Sequence, residues 1–239
     1  MSGHSKWATT HRQKAVVDAK RGAHFTKLSR GITIAAREGG GDPIHNMKLR
    51  IAIDLARASS MPKDNIERAI KRGTGELTGD TIEELTYEGF GPAGVALMIE
   101  VMTDNKNRSV NEIKNVLTKR EGTLGGPGSV GWMFDRKGVV RVEVPEGKPV
   151  DELALIELGV EDIIEDGDHL LLLTASESLT KLERDLAAAG WKVTDAELAY
   201  WPKTPLAFPE GKAGEHLHEL IDALDNLDDV VNVFTNAVS

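Results

Sequence analysis

Cysteine is absent from the 239-residue chain, which excludes disulfide staples, thiolate metal sites and cysteine nucleophiles together and fits a reducing compartment. Long apolar runs are missing as well. No stretch approaches the roughly 18 apolar residues needed to span a bilayer, and Met1 to Trp7 lacks the apolar centre of a secretory signal. No membrane partner is expected, and the cytoplasm is the simplest location. The paired carboxylates Glu83-Glu84 and Asp228-Asp229 have no flanking nucleophile or oxyanion signature. His216 and His218, two apart on an expected helix, point about 200° away from each other and cannot share one ion. No enzyme, cofactor or metal site is therefore expected. Internal repeats and low-complexity tracts are also absent.

A literal G-x-G-x-x-G does occur, as Gly89-Phe90-Gly91-Pro92-Ala93-Gly94, but without the context of a dinucleotide site. That fingerprint brings a helix N-terminus to the pyrophosphate. Here Pro92 sits inside the turn and the apolar run Val95 to Thr103 reads as a strand, so a strand connection is expected.

The apolar fraction of 40% and charged fraction of 28% are those of a soluble globular protein, and the length allows two or three domains. The net charge of -9 is divided unevenly. Residues 1–75 hold 15 Lys plus Arg against 6 Asp plus Glu, a balance of +9; residues 76–239, with 14 basic and 32 acidic side chains, carry -18. Such asymmetry points to nucleic acid or another anionic surface met by one part only. A solvated charged face is the plain alternative.

Within the basic part, residues 1–21 carry Lys6, Arg12, Lys14, Lys20 and Arg21 with Trp7 and His11 interleaved, and little to bury. They read as an arm that is weakly helical or disordered until bound. A helix follows with Phe25, Leu28, Ile32 and Ala35 on one stripe, ending at Gly39-Gly40-Gly41; Arg30 and Arg37 lie off that stripe, and Lys27 is a further candidate contact. A second helix, from about Asn46 to Ala58, breaks at Ser59-Ser60-Met61-Pro62. The third, Pro62 to Arg72, is two-faced at about 100° per residue: Lys63, Glu67, Arg68, Lys71 and Arg72 share one side, Ile66, Ala69 and Ile70 the other. Three short helices make a small bundle, and the tight break before the third permits a helix-turn-helix reading.

Beyond residue 75 strands and helices alternate. Ser109 with Glu112 has the pattern of a capping box opening a helix that Gly122 stops. The preceding loop offers Asn105, Lys106 and Arg108 at a helix start, a candidate anion or partner site; a turn satisfied by its own Asp and Asn residues is at least as good a reading. Between Gly125-Gly126-Pro127-Gly128 and the cluster Pro202, Pro205, Pro209 the order is strand, helix, strand, strand, helix, strand, the ferredoxin-like pattern. A tail helix, Gly214 to Leu224, and strand, Val230 to Thr235, are expected to complete the interrupted domain. The expected division is a basic helical domain over 1–75, a discontinuous α+β domain over 76–130 and 203–239, and a ferredoxin-like insert over 131–202.

The stretches Gly3-His4-Ser5-Lys6-Trp7, Asp18-Ala19-Lys20-Arg21-Gly22, Met61 to Gly73, Tyr87 to Pro92, Thr103 to Arg108 and Gly128-Ser129-Val130, in that order, closely resemble the YebC family. Coverage is dense to about Phe134 and thinner beyond. At Thr9 to Gln13 the family more often has further basic residues. The resemblance implies a three-domain α+β protein whose ferredoxin-like third domain is inserted into the second. It also implies one of two roles: a DNA-binding transcriptional regulator, or a translation factor at the ribosome, as in the related mitochondrial activator of cytochrome oxidase synthesis. Phosphate neutralisation by Lys and Arg serves DNA and RNA alike. A cationic arm with Trp7 and His11 for stacking suits irregular ribosomal RNA, and no dimer signal of the kind that sets half-site spacing is visible. The expectation is a monomeric, ribosome-associated RNA-binding factor whose acidic domains meet tRNA or ribosomal protein, with DNA binding as the alternative.

Overall fold

The computed structural model describes residues 21–77, 82–144 and 150–238, and the architecture is α+β. Two compact units are present: among described residues, one holds 21–129 with 209–233, and the other 130–208 with 234–238.

The first unit begins with three helices, α1 (Arg21–Gly39), α2 (Met47–Ala58) and α3 (Lys63–Gly73). Their shared core is Ile32, Ala35, Ala36, Leu49, Ile53, Ala56, Met61, Ile66 and Ala69, with Phe25 and Leu28 packed against it. Asn46 fixes the start of α2 by accepting from the Leu49 amide at 3.0 Å while its own amide donates to the Ala35 and Gly40 carbonyls. Such a cap contributes about 1 kcal/mol. Pro62 caps α3, and Ser60, at φ 60°, turns the chain between the two helices. Gly73 does more than end α3. A Cβ there would lie 2.7 Å from that of Ala36 and overlap the Thr33 carbonyl, so the glycine lets α1 and α3 approach closely.

A four-stranded sheet follows in the order β3-β1-β2-β9, built from β1 (Glu83–Phe90), β2 (Ala96–Thr103), β3 (Thr123–Leu124) and β9 (Val230–Thr235). The G-x-G-x-x-G segment is the turn between antiparallel β1 and β2, closed by the Gly91 amide on the Val95 carbonyl at 2.8 Å. Gly91 leaves room for Leu217 and Leu220, which a Cβ would approach to 3.2 Å. Helices α4 (Lys106–Lys119) and α7 (Lys212–Asp225) bury Ile113, Leu117, Leu217, Leu220 and Leu224, α4 packing on β2 and on α7. One boundary departs from the sequence reading. Helix α4 starts at Lys106 under an Asn105 cap, whose side chain accepts from the Arg108 amide. Ser109 lies inside the helix, buried, because its hydroxyl donates to the Asp229 carboxylate at 2.6 Å. A buried charge outcompetes the local capping box.

The second unit is built on β4 (Phe134–Glu143), α5 (Glu152–Glu157), β5 (Asp162–Asp166), β6 (His169–Ala175), α6 (Leu179–Ala188) and β7 (Val193–Pro202), in that chain order. The sheet runs β5-β6-β4-β7 with every neighbour antiparallel, the ferredoxin-like topology. Val140, Val142, Leu170 and Leu172 face Leu155, Leu182 and Leu186 of the helices in its core. A short parallel pair, β8 (Leu206–Ala207) with β10 (Ala237–Val238), belongs to the same unit. No described helix is long and apolar enough to cross a membrane.

Candidate nucleic-acid interface

The basic segment divides into cations committed to the protein and cations left to solvent. On α1, Arg30 forms a 2.7 Å ion pair with Asp229 and donates to the Asp228 carbonyl at 2.7 Å. Lys27 donates to the Asp225 carbonyl at 2.6 Å and Arg37 to the Ile82 carbonyl at 2.5 Å. These three side chains, all candidate nucleic-acid contacts by sequence, fasten α1 to the end of α7, to the loop before β9 and to the residue before β1 within the first unit. Arg37 as a whole is still exposed, whereas the Arg30 side chain is only 13% exposed.

Asp229 is the centre of that attachment. Its side chain is 2% exposed and accepts from Arg108 at 2.8 Å, from Thr103 at 2.9 Å and from Ser109 at 2.6 Å, in addition to Arg30. Burial would raise its pKa, but the hydrogen bonds from Ser109, Arg108 and Thr103 and the nearby Arg30 charge outweigh it, and the carboxyl is held below its ordinary value. The same contacts raise the pKa of Arg108, first through Asp229 and then through Asp104. The loop before α4 is thereby accounted for. Asn105 caps the helix, Lys106 pairs with Glu83 at 2.6 Å, and Arg108 is shared between Asp104 and Asp229.

Helix α3 is the opposite case. Ile66 and Ala69 are buried, while Lys63, Arg68, Lys71 and Arg72 are exposed. Lys63 reaches Glu67 only at 3.5 Å with its side chain 86% exposed, and Arg68 donates to Asn65 at 3.1 Å. Lys71 and Arg72 have no ion-pair partner among the described residues. They sit in the last turn, where the helix dipole also favours positive charge. Lys6, Trp7, His11, Arg12, Lys14 and Lys20, with the rest of the arm, lie outside the described residues, as does the side chain of Arg21.

His216 and His218 do not converge: His216 lies 3.4 Å from Glu121, and the His218 ring contacts the Gly214 carbonyl. Among the described residues no group of three or more His, Asp or Glu is arranged to hold a metal ion.

A family model described as the TACO1/YebC protein N-terminal domain matches residues 5–76, and another, the TACO1/YebC second and third domain, matches 82–237. The chain belongs to the TACO1/YebC family. A probable transcriptional regulatory protein of Trichlorobacter lovleyi is 46% identical over 238 residues, covering 99% of this chain and 95% of its own. Its counterpart in Chlorobaculum tepidum is 50% identical over 240 residues, covering 99% and 94%. A crystal structure of a conserved hypothetical protein from Aquifex aeolicus matches with a TM-score of 0.84 at 39% identity, over 93% of this chain and 92% of that one. The α+β architecture, a helical N-terminal region followed by sheet-rich units, is thus that of the TACO1/YebC family. In this member α2 adds three exposed cations, Lys48, Arg50 and Arg57, which a reading of the helix for its inward face alone misses. Their place on the flanks of the stripe formed by buried Leu49, Ile53 and Ala56 is the signal that could have found them.

Proposed function

We propose that this protein is a non-enzymatic regulator of gene expression that grips nucleic acid through the solvent-facing cations of its helical segment, and that its target is structured RNA at the ribosome. The exposed side of α3 carries the reading. Three of its four cations lie from the middle of the helix onwards, at Arg68, Lys71 and Arg72, whereas the N-terminal half sets the exposed carboxylates Asp64 and Glu67 against Lys63 alone. A recognition helix in a DNA major groove puts its N-terminal residues against base edges between two phosphate backbones. Asp64 and Glu67 would meet that field with the wrong sign. Gripping a phosphate backbone with the C-terminal end of α3 avoids this, and splayed single-stranded bases are then open to Trp7 and His11 of the arm. The acidic remainder of the chain would meet tRNA or ribosomal protein, and the molecule acts as a monomer in the cytoplasm, with domain limits at 75, 131 and 202.

DNA-binding transcriptional regulation is the second reading, favoured by the names of the relatives and by the tight α2–α3 break. Co-sedimentation separates the two. The full chain should sediment with ribosomes at physiological salt, and deletion of residues 1–21 or Trp7→Ala should weaken that contact, the latter by about 1–3 kcal/mol if the indole stacks on a base. Absence from ribosomes, together with binding to one duplex at least about 10³ times tighter than to random duplex, would make it a DNA reader.

A further inference from the structure

The outer edge of the ferredoxin-like sheet holds a groove that nucleic-acid binding does not use. It lies between α5 and β5, with a volume of about 410 Å³. Val150, Ile163 and Leu170 line it with Ile156, which is 56% exposed, and the neighbouring Leu153 on α5 is 74% exposed. Apolar surface left open beside an edge is a recurrent mark of a contact site. Among the described residues β5 is hydrogen-bonded to β6 alone, so its other edge presents backbone donors and acceptors. Glu152, Asp162 and Glu165 rim the groove and are exposed. From Asp151 to Asp168 there are eight carboxylates and no Lys or Arg. Asp166 is paired with Arg141 and Glu161 with Lys137.

We propose that this groove docks an extended Lys/Arg-rich segment of a partner protein, which adds as a strand beside β5 and places an aliphatic side chain between Ile156 and Ile163. The free edge supplies main-chain pairing, and alternation along the added strand sends every second side chain to the groove. Charge chooses the occupant. The rim repels nucleic acid and acidic peptides, and it repels a second copy of this chain, which would bring the same carboxylates edge to edge.

The test uses the full-length protein and two fluorescein-labelled probe peptides at physiological salt, Lys-Val-Lys-Leu-Lys-Val-Lys and its Glu-for-Lys counterpart. The basic probe should bind and the acidic one should not. The combined Glu152→Lys, Asp162→Lys and Glu165→Lys variant should lose at least about tenfold in affinity. Ile156→Ser leaves the charge unchanged and should still lose about fivefold, the scale of truncating one apolar side chain; unaltered thermal unfolding would show that both variants fold. Equal binding of the basic probe by wild type and Ile156→Ser would reduce the effect to bulk charge and overturn the proposal. So would a rise of tenfold or more on deleting residues 1–21, which would make this chain's own basic arm the occupant.

Discussion

Helices α1 and α3 belong to the same basic segment, yet their cations have opposite fates. Lys27, Arg30 and Arg37 on α1 turn onto the carbonyls of residues 225, 228 and 82, and Arg30 onto buried Asp229 as well. Lys63, Lys71 and Arg72 on α3 stand in solvent. The difference teaches that a segment's net charge is an upper bound on the charge it offers a ligand. Of the +9 counted in the sequence, part is neutralised where the segment is fastened to its neighbour. Among the described residues, the cations left to solvent include Lys63, Arg68, Lys71 and Arg72 of α3.

The largest expected effect comes from the fastening. Asp229→Ala removes the acceptor shared by Arg30, Arg108, Thr103 and Ser109 and leaves buried cationic and hydroxyl groups uncompensated, which should cost about 3–5 kcal/mol. A denaturant titration gives the midpoint; a loss below about 1 kcal/mol would mean that the network is not holding the helices. Next is Gly73→Ala, whose Cβ has no room between α1 and α3 and should cost about 1–3 kcal/mol as overpacking. An unchanged midpoint there would show that the two helices can separate without penalty.

A smaller, pH-dependent effect follows from the lowered pKa of Asp229. A carboxyl whose folded pKa lies below its unfolded value contributes stability that is complete above the unfolded value, near pH 4, and is lost as pH falls through the lowered folded value. Wild type should therefore lose stability more steeply on acidification below about pH 4 than Asp229→Asn, which cannot titrate there. Parallel curves would remove Asp229 from the account.

Local patterns were legible in the sequence where one element's residues decide the outcome. The alternation of apolar residues over 139–200 shows the ferredoxin-like order, and the 100° periodicity of residues 63–72 separates buried Ile66 and Ala69 from the exposed cations. Partners far along the chain were not legible. Ser109 reads locally as a helix cap, and only Asp229, 120 residues away, explains why it is buried within α4. Arg30 reads as a free cation for the same reason, its acceptors lying about 200 residues downstream. Charge counts and short spacings carry no information about such pairings, which the fold creates.

The dependence of RNA binding on salt tests the contrast between α1 and α3 most directly. With full-length protein and single-stranded RNA, the combined Lys63→Gln, Lys71→Gln and Arg72→Gln variant should flatten the plot of log affinity against log salt by about 0.7 for each phosphate no longer neutralised, about 2 in all. Its stability should stay within about 0.5 kcal/mol of wild type, as for exposed charges. A slope equal to that of wild type, with stability reduced by several kcal/mol, would contradict the account, because it would make α3 the structural helix and leave the cationic grip elsewhere.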